Sequence, residues 1–319
     1  MGNVKSNLKS RGILTSSSKK YTKKRNELQQ IEQSEQPVQP EEPKELTYHL
    51  SNHGNDDIDR QHFNHFFRKH LFQNNFSAPI EEKLIQGRCK VLDTGCGPGT
   101  WLLDLATKYE NSRFFGIDIK PVYPSEIKPK NLEFYEADIL NNLPFPDNEF
   151  DFVHQEIMAL IIKKVEWPRV ISELIRITRP GGFIEIVEYI SPDKNGPVMT
   201  EMYDTHTKMC SERDIDTSLT PHLDKIILSH PLITKVNKDI KTFIIGPNGG
   251  GAGTTILDIL LTFNISDSAT ENISRFLGIT KEEYTNKIAK INEELVNTKP
   301  ELSVCRFWAQ KNQSFIRMV

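Results

Sequence analysis

The stretch Val91-Leu92-Asp93-Thr94-Gly95-Cys96-Gly97-Pro98-Gly99-Thr100-Trp101 decides the fold. Val91 and Leu92 supply the apolar run of a buried strand. Gly95, Gly97 and Gly99 then let the backbone turn tightly and approach a ligand with no side chain between them. Thr100 opens a helix expected over Trp101 to Tyr109, so the segment reads as strand, glycine turn and helix, a cradle for a nucleotide-like ligand. Two ligand classes use such a turn. A dinucleotide fingerprint requires G-x-G-x-x-G, whose third glycine lets helix pack on strand while the helix N-terminus faces a pyrophosphate. Here the spacing is G-x-G-x-G and position 100 is Thr. Asp93, at the strand end, would repel a diphosphate and attract an ammonium group. The expected ligand therefore carries a cation; the alternative is a tight turn with no ligand.

Further strands follow in order. Arg113-Phe114-Phe115-Gly116-Ile117-Asp118 is apolar and ends in a carboxylate nineteen residues after Gly99, where an acid accepts ribose hydroxyls. Leu132 to Ile139 reads as a third strand leading into Ala137-Asp138-Ile139, and Phe150-Asp151-Phe152-Val153-His154-Gln155 as a fourth. Arg179-Pro180-Gly181-Gly182-Phe183-Ile184-Glu185-Ile186 is a turn and a fifth strand. Taken singly, an aspartate ending a strand is ordinarily a solvated turn residue or a helix cap, and only order and spacing favour ligand roles for Asp118 and Asp138.

This succession resembles class I S-adenosylmethionine-dependent methyltransferases. From Asp57 to Lys311 it is similar to the LaeA-like fungal group, including Asn75-Phe76-Ser77-Ala78-Pro79 before the glycine turn and Arg306-Phe307-Trp308 near the end. The resemblance implies an α/β fold: a Rossmann-like, seven-stranded, mostly parallel sheet with helices on both faces and a C-terminal antiparallel strand. It implies S-adenosylmethionine as cofactor, held by Asp93, Gly95, Gly97, Gly99, Asp118, Asp138, Ile139 and His154, with Asp138 toward the adenine. Methyl transfer is an in-line displacement at a methyl already activated by the sulfonium, so positioning dominates. A hydroxyl or ammonium acceptor also needs a base. His154 and Glu188, at the carboxyl ends of the fourth and fifth strands, are the catalytic candidates, with His206 as a third. Each has an ordinary structural role as its alternative.

The acceptor is not identified beyond a small molecule or a protein side chain. The competing class is a non-catalytic regulator that keeps the fold and acts through partners. An NAD-dependent oxidoreductase is disfavoured by the glycine spacing. No nucleic-acid partner is expected, because the folded part is acidic and lacks an Asn-Pro-Pro-Tyr segment.

Residues 1–45 read as a disordered tail and 46–319 as the enzyme domain: 46–88 an N-terminal helical lid, 89–190 the cofactor-binding core, 191–319 the acceptor-side helices and last strands. Met1 to Asn26 holds eight Lys or Arg and no acid, so removing that charge from the total of −3 leaves about −11 on the rest. Glu27 to Glu45 turns to Gln, Glu and Pro, and neither part has the apolar periodicity to offset ordering entropy. Met1-Gly2-Asn3-Val4-Lys5-Ser6 fits N-myristoylation at Gly2. One acyl chain anchors weakly, and the run Lys19 to Arg25 would add attraction to an anionic membrane surface. That run also fits a nuclear signal, and an unmodified solubilising tail is the third reading. With 37% hydrophobic residues, no secretory signal and no transmembrane run, the chain is expected to be intracellular, cytoplasmic with membrane association or nuclear as the alternatives. Cys89, Cys96, Cys210 and Cys305 show no paired spacing, so no zinc site is expected, and Cys96 reads as packing. His62, His65 and His70 lack matching ligands for a metal.

Around the core, Asp56 to Phe72 should be an amphipathic helix burying Ile58, Phe63, Phe66, Phe67 and Leu71; the resemblance implies that Arg60, Gln61 and His62 form part of a lid, the alternative being a helix that simply packs on the core. Trp167 to Ile175 and Pro197 to Arg213 are further helices, Ile233 to Ile245 and Leu302 to Ala309 the last strands. Thr280 and Glu283 form a capping box for a helix burying Tyr284, Ile288, Ile291 and Leu295. Gly246 to Gly253 lacks the Gly-Lys-Ser/Thr of a phosphate loop and is expected to be a flexible loop beside the active site.

Overall fold

Seven strands form one sheet in the order β3-β2-β1-β4-β5-β7-β6. They are β1 (Lys90–Thr94), β2 (Arg113–Asp118), β3 (Leu132–Glu136), β4 (Phe150–Glu156), β5 (Thr178–Asp193), β6 (Val236–Ile244) and β7 (Glu301–Gln310). Neighbouring pairs are parallel from β3 through β5, and β7 runs antiparallel to both β5 and β6. The computed structural model describes residues 55–313. The basic tail, Gly2 and the run Lys19 to Arg25 lie outside the described residues.

Nine α-helices occur among them: α1 (Asn55–Phe72), α2 (Glu81–Gln86), α3 (Thr100–Lys108), α4 (Trp167–Ile177), α5 (Pro197–Ser211), α6 (Leu223–Leu228), α7 (Gly250–Ile265), α8 (Asp267–Leu277) and α9 (Lys281–Asn297). The central strands are buried on both faces, as their continuous apolar runs require. On one face Leu92, Val153, Ile184 and Phe307 pack with α4 through Trp167, Val170, Ile171 and Leu174. On the other, Val91, Phe114 and Phe152 pack with α3 through Trp101, Leu102 and Leu105. A separate cluster joins α1, α5, α7, α8 and α9 beyond the sheet. Local signals hold at the ends: Pro168 lies in the first turn of α4, and Thr280 with Glu283 closes the capping box of α9.

Two expectations are corrected. Gly246 to Gly253 is no flexible loop: a 3-10 turn at Pro247–Gly249 leads into α7, and the Gly246 N–H donates to the Gly253 carbonyl at 2.9 Å. A Cβ on Gly253 would strike the carbonyl oxygens of Gly246 and Ile244, so glycine permits close packing there. The second correction concerns α1, where Phe63 and Phe66 are 62% and 55% exposed while Asn64, His65 and Arg68 are buried. Phe67 does point inward. The interior face of the helix is thus mixed, with Asp57, Asn64, His65 and Arg68 buried beside Phe67 and Phe72.

The strand order reverses direction between β1 and β4. In such sheets ligands collect at the carboxyl ends of the strands beside that reversal. The glycine turn stands at that place.

Candidate functional site

The turn is built by strand β1 ending against β2. The N–H groups of Gly95 and Cys96 both donate to the Ile117 carbonyl, at 2.8 and 2.9 Å, which folds the chain over the end of the sheet. Gly95, Gly97 and Gly99 have φ of +70°, +52° and +74°, the left-handed region that a side chain strains. Three elements close on their α-carbons: a Cβ would meet Met158 after β4 at Gly95, Gln61 of α1 at Gly97, and Phe134 of β3 at Gly99. Helix α1 is pinned by His62 Nδ1, 2.6 Å from the Thr100 hydroxyl, and by Lys69, which donates to Asp104 at 2.6 Å. So Gln61 and His62 sit over the turn and the start of α3.

Asp118 ends β2 on the flank of this turn. Its Oδ2 accepts from the Gly97 N–H at 2.8 Å and its Oδ1 from the Lys120 N–H at 2.9 Å. The structure thus joins two of the sequence-derived site residues directly. Asp138 instead closes a turn, accepting from the Leu140 N–H at 2.8 Å and from Asn141 Nδ2 at 2.9 Å. Ile139 is 7% exposed and belongs to the core beneath it.

Asp93 lies opposite His154 across the β1–β4 pairing, and its Oδ1 is 2.8 Å from His154 Nδ1. Both are enclosed, at 2% and 0% exposure, and the His154 ring stacks on Trp101 at 4.0 Å and 6°. Burial opposes a charged His154, but the flanking Asp93 and Glu156 carboxylates outweigh it and raise its pKa. The ring lies inside β4, enclosed between Asp93 and Glu156. Glu188 lies within β5. It is 1% exposed, its Oε1 accepts from the Met158 N–H at 2.7 Å, and burial pushes its pKa up to about 8 despite the bonds from the Met158 and Ala159 N–H groups. Its carboxyl therefore fastens the loop whose Met158 touches Gly95. His206 faces the outer helical cluster beside Phe263, where burial lowers its pKa to about 4.

The sequence reading missed Arg68 and Glu156. Arg68 of α1 donates through Nε to Glu156 Oε2 at 3.2 Å and through Nη2 to Oε1, tying α1 to the carboxyl end of β4. Burial works against the Glu156 charge, yet Arg68 and His154 hold its pKa down at about 2. Next to it, the Tyr189 hydroxyl donates to Asn64 Oδ1 at 2.6 Å. The available signal was the i, i+4 pair Asn64 and Arg68, a polar stripe as regular as the apolar one. Of the remaining candidates, His65 Nε2 lies 3.5 Å from Asp104, His70 is exposed, and Cys96 is buried within the turn. Among the described residues no cluster of three or more His, Cys, Asp or Glu could hold a metal ion, and no helix is long and apolar enough to cross a membrane.

Known proteins share these elements. A family model described as a methyltransferase domain matches residues 91–182, from β1 to the turn within β5. The N-methyltransferase verN of Clonostachys rogersoniana is 33% identical over 147 residues, 44% of this chain and 50% of that protein. The secondary metabolism regulator laeA of Aspergillus flavus is 33% identical over 100 residues, 31% of this chain and 26% of that protein. This chain spans half or less of the length of these curated relatives. Among solved structures, the YcgJ protein of Bacillus subtilis aligns with TM-score 0.47 and 17% identity, over 74% of this chain and 97% of that one. The matched segment contains the glycine turn, Asp118 and the post-β4 loop, and the observed strand order carries that segment at its centre. Residues 91–182 thus carry a methyltransferase domain, set at the centre of a seven-stranded sheet.

Proposed function

We propose that this chain binds S-adenosylmethionine at the glycine turn and transfers its methyl group to a small-molecule or protein acceptor. The observation that carries the reading is the Asp118 carboxylate, fixed on the Gly97 N–H at the flank of a turn whose three glycines adopt positive φ. The cofactor, when bound, supplies a methyl group activated by a sulfonium. Everything else falls to this chain's side chains. Asp118 would take the ribose hydroxyls, and Asp93 the ammonium of the amino-acid end. Met158, Gln61 and Phe134 close on the α-carbons of the turn.

At the acceptor side, the carboxyl ends of β4 and β5 carry Glu156 and Tyr189, with Arg68 and Asn64 of α1 against them. A carboxylate held near the bottom of its range is a weak base, so Glu156 suits orienting charge more than removing a proton. His154, Glu188 and His206 are too enclosed to serve an acceptor in this arrangement. Catalysis by positioning, with the acceptor entering as its free nucleophile, matches this set.

Incubating the full chain with methyl-labelled S-adenosylmethionine and fractionated host extract tests turnover. Label in a discrete small molecule or protein band, absent with Asp118→Ala, supports transfer. The second reading, a regulator that retains the fold, draws on the similarity to laeA and on the exposed Phe63 and Phe66 of α1; cofactor binding without label in any fraction favours it. For the tail, membrane association through an acylated Gly2 and the basic run Lys19 to Arg25 is the proposal.

A further inference from the structure

We infer that His154 is the positioning residue for Asp93: it holds Oδ1 of that carboxylate and leaves Oδ2 to receive the ammonium of an amino-acid-bearing ligand. The inference rests on the cofactor reading above. Three constraints fix the ring. Strand pairing sets Asp93 directly across from His154, and Nδ1 meets Oδ1 at 2.8 Å. Trp101 lies flat on the ring at 4.0 Å, and is itself held by its indole N–H, which donates to the Asn75 carbonyl at 2.8 Å. On the other side, Nε2 stands 4.0 Å from Glu156 Oε2, and Glu185 occupies the adjacent register position on β5.

The tautomer follows from the partners. An ionised carboxylate only accepts, so Nδ1 carries the proton shared with Asp93. Nε2 is buried with no hydrogen-bond partner among the described residues, and an acid lies beyond it. A ring with acids on both sides favours its cation, whose charge and hydrogen bond counter the burial that pushes the Asp93 pKa up. A carboxylate bound through one oxygen by a rigid donor cannot rotate. Its other oxygen is then held in one direction. The arrangement parallels the second partner that orients a metal-ligating or catalytic group elsewhere.

The test separates a positioning role from a merely structural one by using two ligands on the full-length chain. S-adenosylmethionine carries the ammonium; 5′-methylthioadenosine keeps the adenosine and lacks the amino-acid end. With His154→Phe, calorimetry should show S-adenosylmethionine weakened about tenfold or more, the scale of a lost hydrogen bond to a charged group, with 5′-methylthioadenosine within about twofold of wild type. His154→Asn, whose amide can donate in place of Nδ1, should restore most of the affinity. Equal losses for both ligands, or no loss for either, overturn the inference while leaving the cofactor reading intact. Wild type that binds neither ligand overturns both. Should His154→Phe fail to fold, nitrogen-15 spectra of histidine-labelled wild type decide: the Nδ1–H signal must shift with S-adenosylmethionine and stay in place with 5′-methylthioadenosine, and an identical response to both is the contrary result.

Discussion

Glu188 gives the sharpest stability prediction. Its carboxyl is 1% exposed, and burial lifts its pKa from 4.5 to about 8. Between those values the native chain keeps a proton that the unfolded chain releases. Stability from this group is therefore greatest below its unfolded pKa and declines as pH rises through the window, disappearing above about 8. One proton's difference corresponds to about 1.4 kcal/mol per pH unit, so about 3 kcal/mol should be lost between roughly pH 5 and pH 7. Glu188→Gln copies the protonated acid: its amide oxygen still accepts from the Met158 and Ala159 N–H groups, and it does not titrate. Urea unfolding followed by tryptophan fluorescence, at intervals from about pH 5 to pH 9, measures the difference between the two proteins. Contributions common to both cancel. Wild type should lose stability relative to Glu188→Gln as pH rises, then run parallel to it above about pH 8. Parallel curves across the whole range would mean that Glu188 titrates alike in both states, refuting the reasoning.

Four other outcomes are expected. Arg68→Met removes the guanidinium that ties α1 to Glu156 and should cost about 2–3 kcal/mol in denaturant unfolding, the scale of hydrogen bonds to a charged group, whereas the double change with Glu156→Gln should recover much of it. His206, with its pKa lowered to about 4, stays neutral where the unfolded side chain gains a proton, so stability should fall as pH drops from about 6.5 toward 4; His206→Phe should flatten that fall in thermal scans. Gly99→Val would press a branched side chain into Phe134 in a left-handed conformation, and should abolish cofactor binding by calorimetry with a lower Tm. Mass spectrometry of protein from its native host should find a myristoyl group on Gly2; an unmodified terminus removes the membrane proposal.

The cofactor side of the sheet was legible because its signals are local. Val91 to Trp101 encodes strand, turn and helix within a few residues, and Asp118 falls at the end of a continuous apolar run. Roles that depend on register were not legible. Asp93 and His154 lie sixty-one residues apart, and only the pairing of β1 with β4 puts their side chains on one face. The same holds for Arg68 and Glu156, which meet through packing of α1 onto the sheet end. In α1 the apolar stripe misled, since the helix buries polar residues beside Phe67 and turns Phe63 and Phe66 outward. Helix α7 escaped notice for another reason: it is apolar around much of its circumference, with Ile256, Leu257 and Ile259 buried and Leu260, Leu261 and Phe263 partly so, which leaves little periodicity to read.

The central claim is that the Gly97–Asp118 corner binds S-adenosylmethionine. Isothermal titration of S-adenosylmethionine into the full-length wild type and into Asp118→Ala tests it most directly. The predicted result is saturable binding to one site in the wild type, weakened about tenfold or more in the variant through lost hydrogen bonds to a charged group. Folded wild type that takes up no S-adenosylmethionine, or that binds NAD in its place, would contradict it.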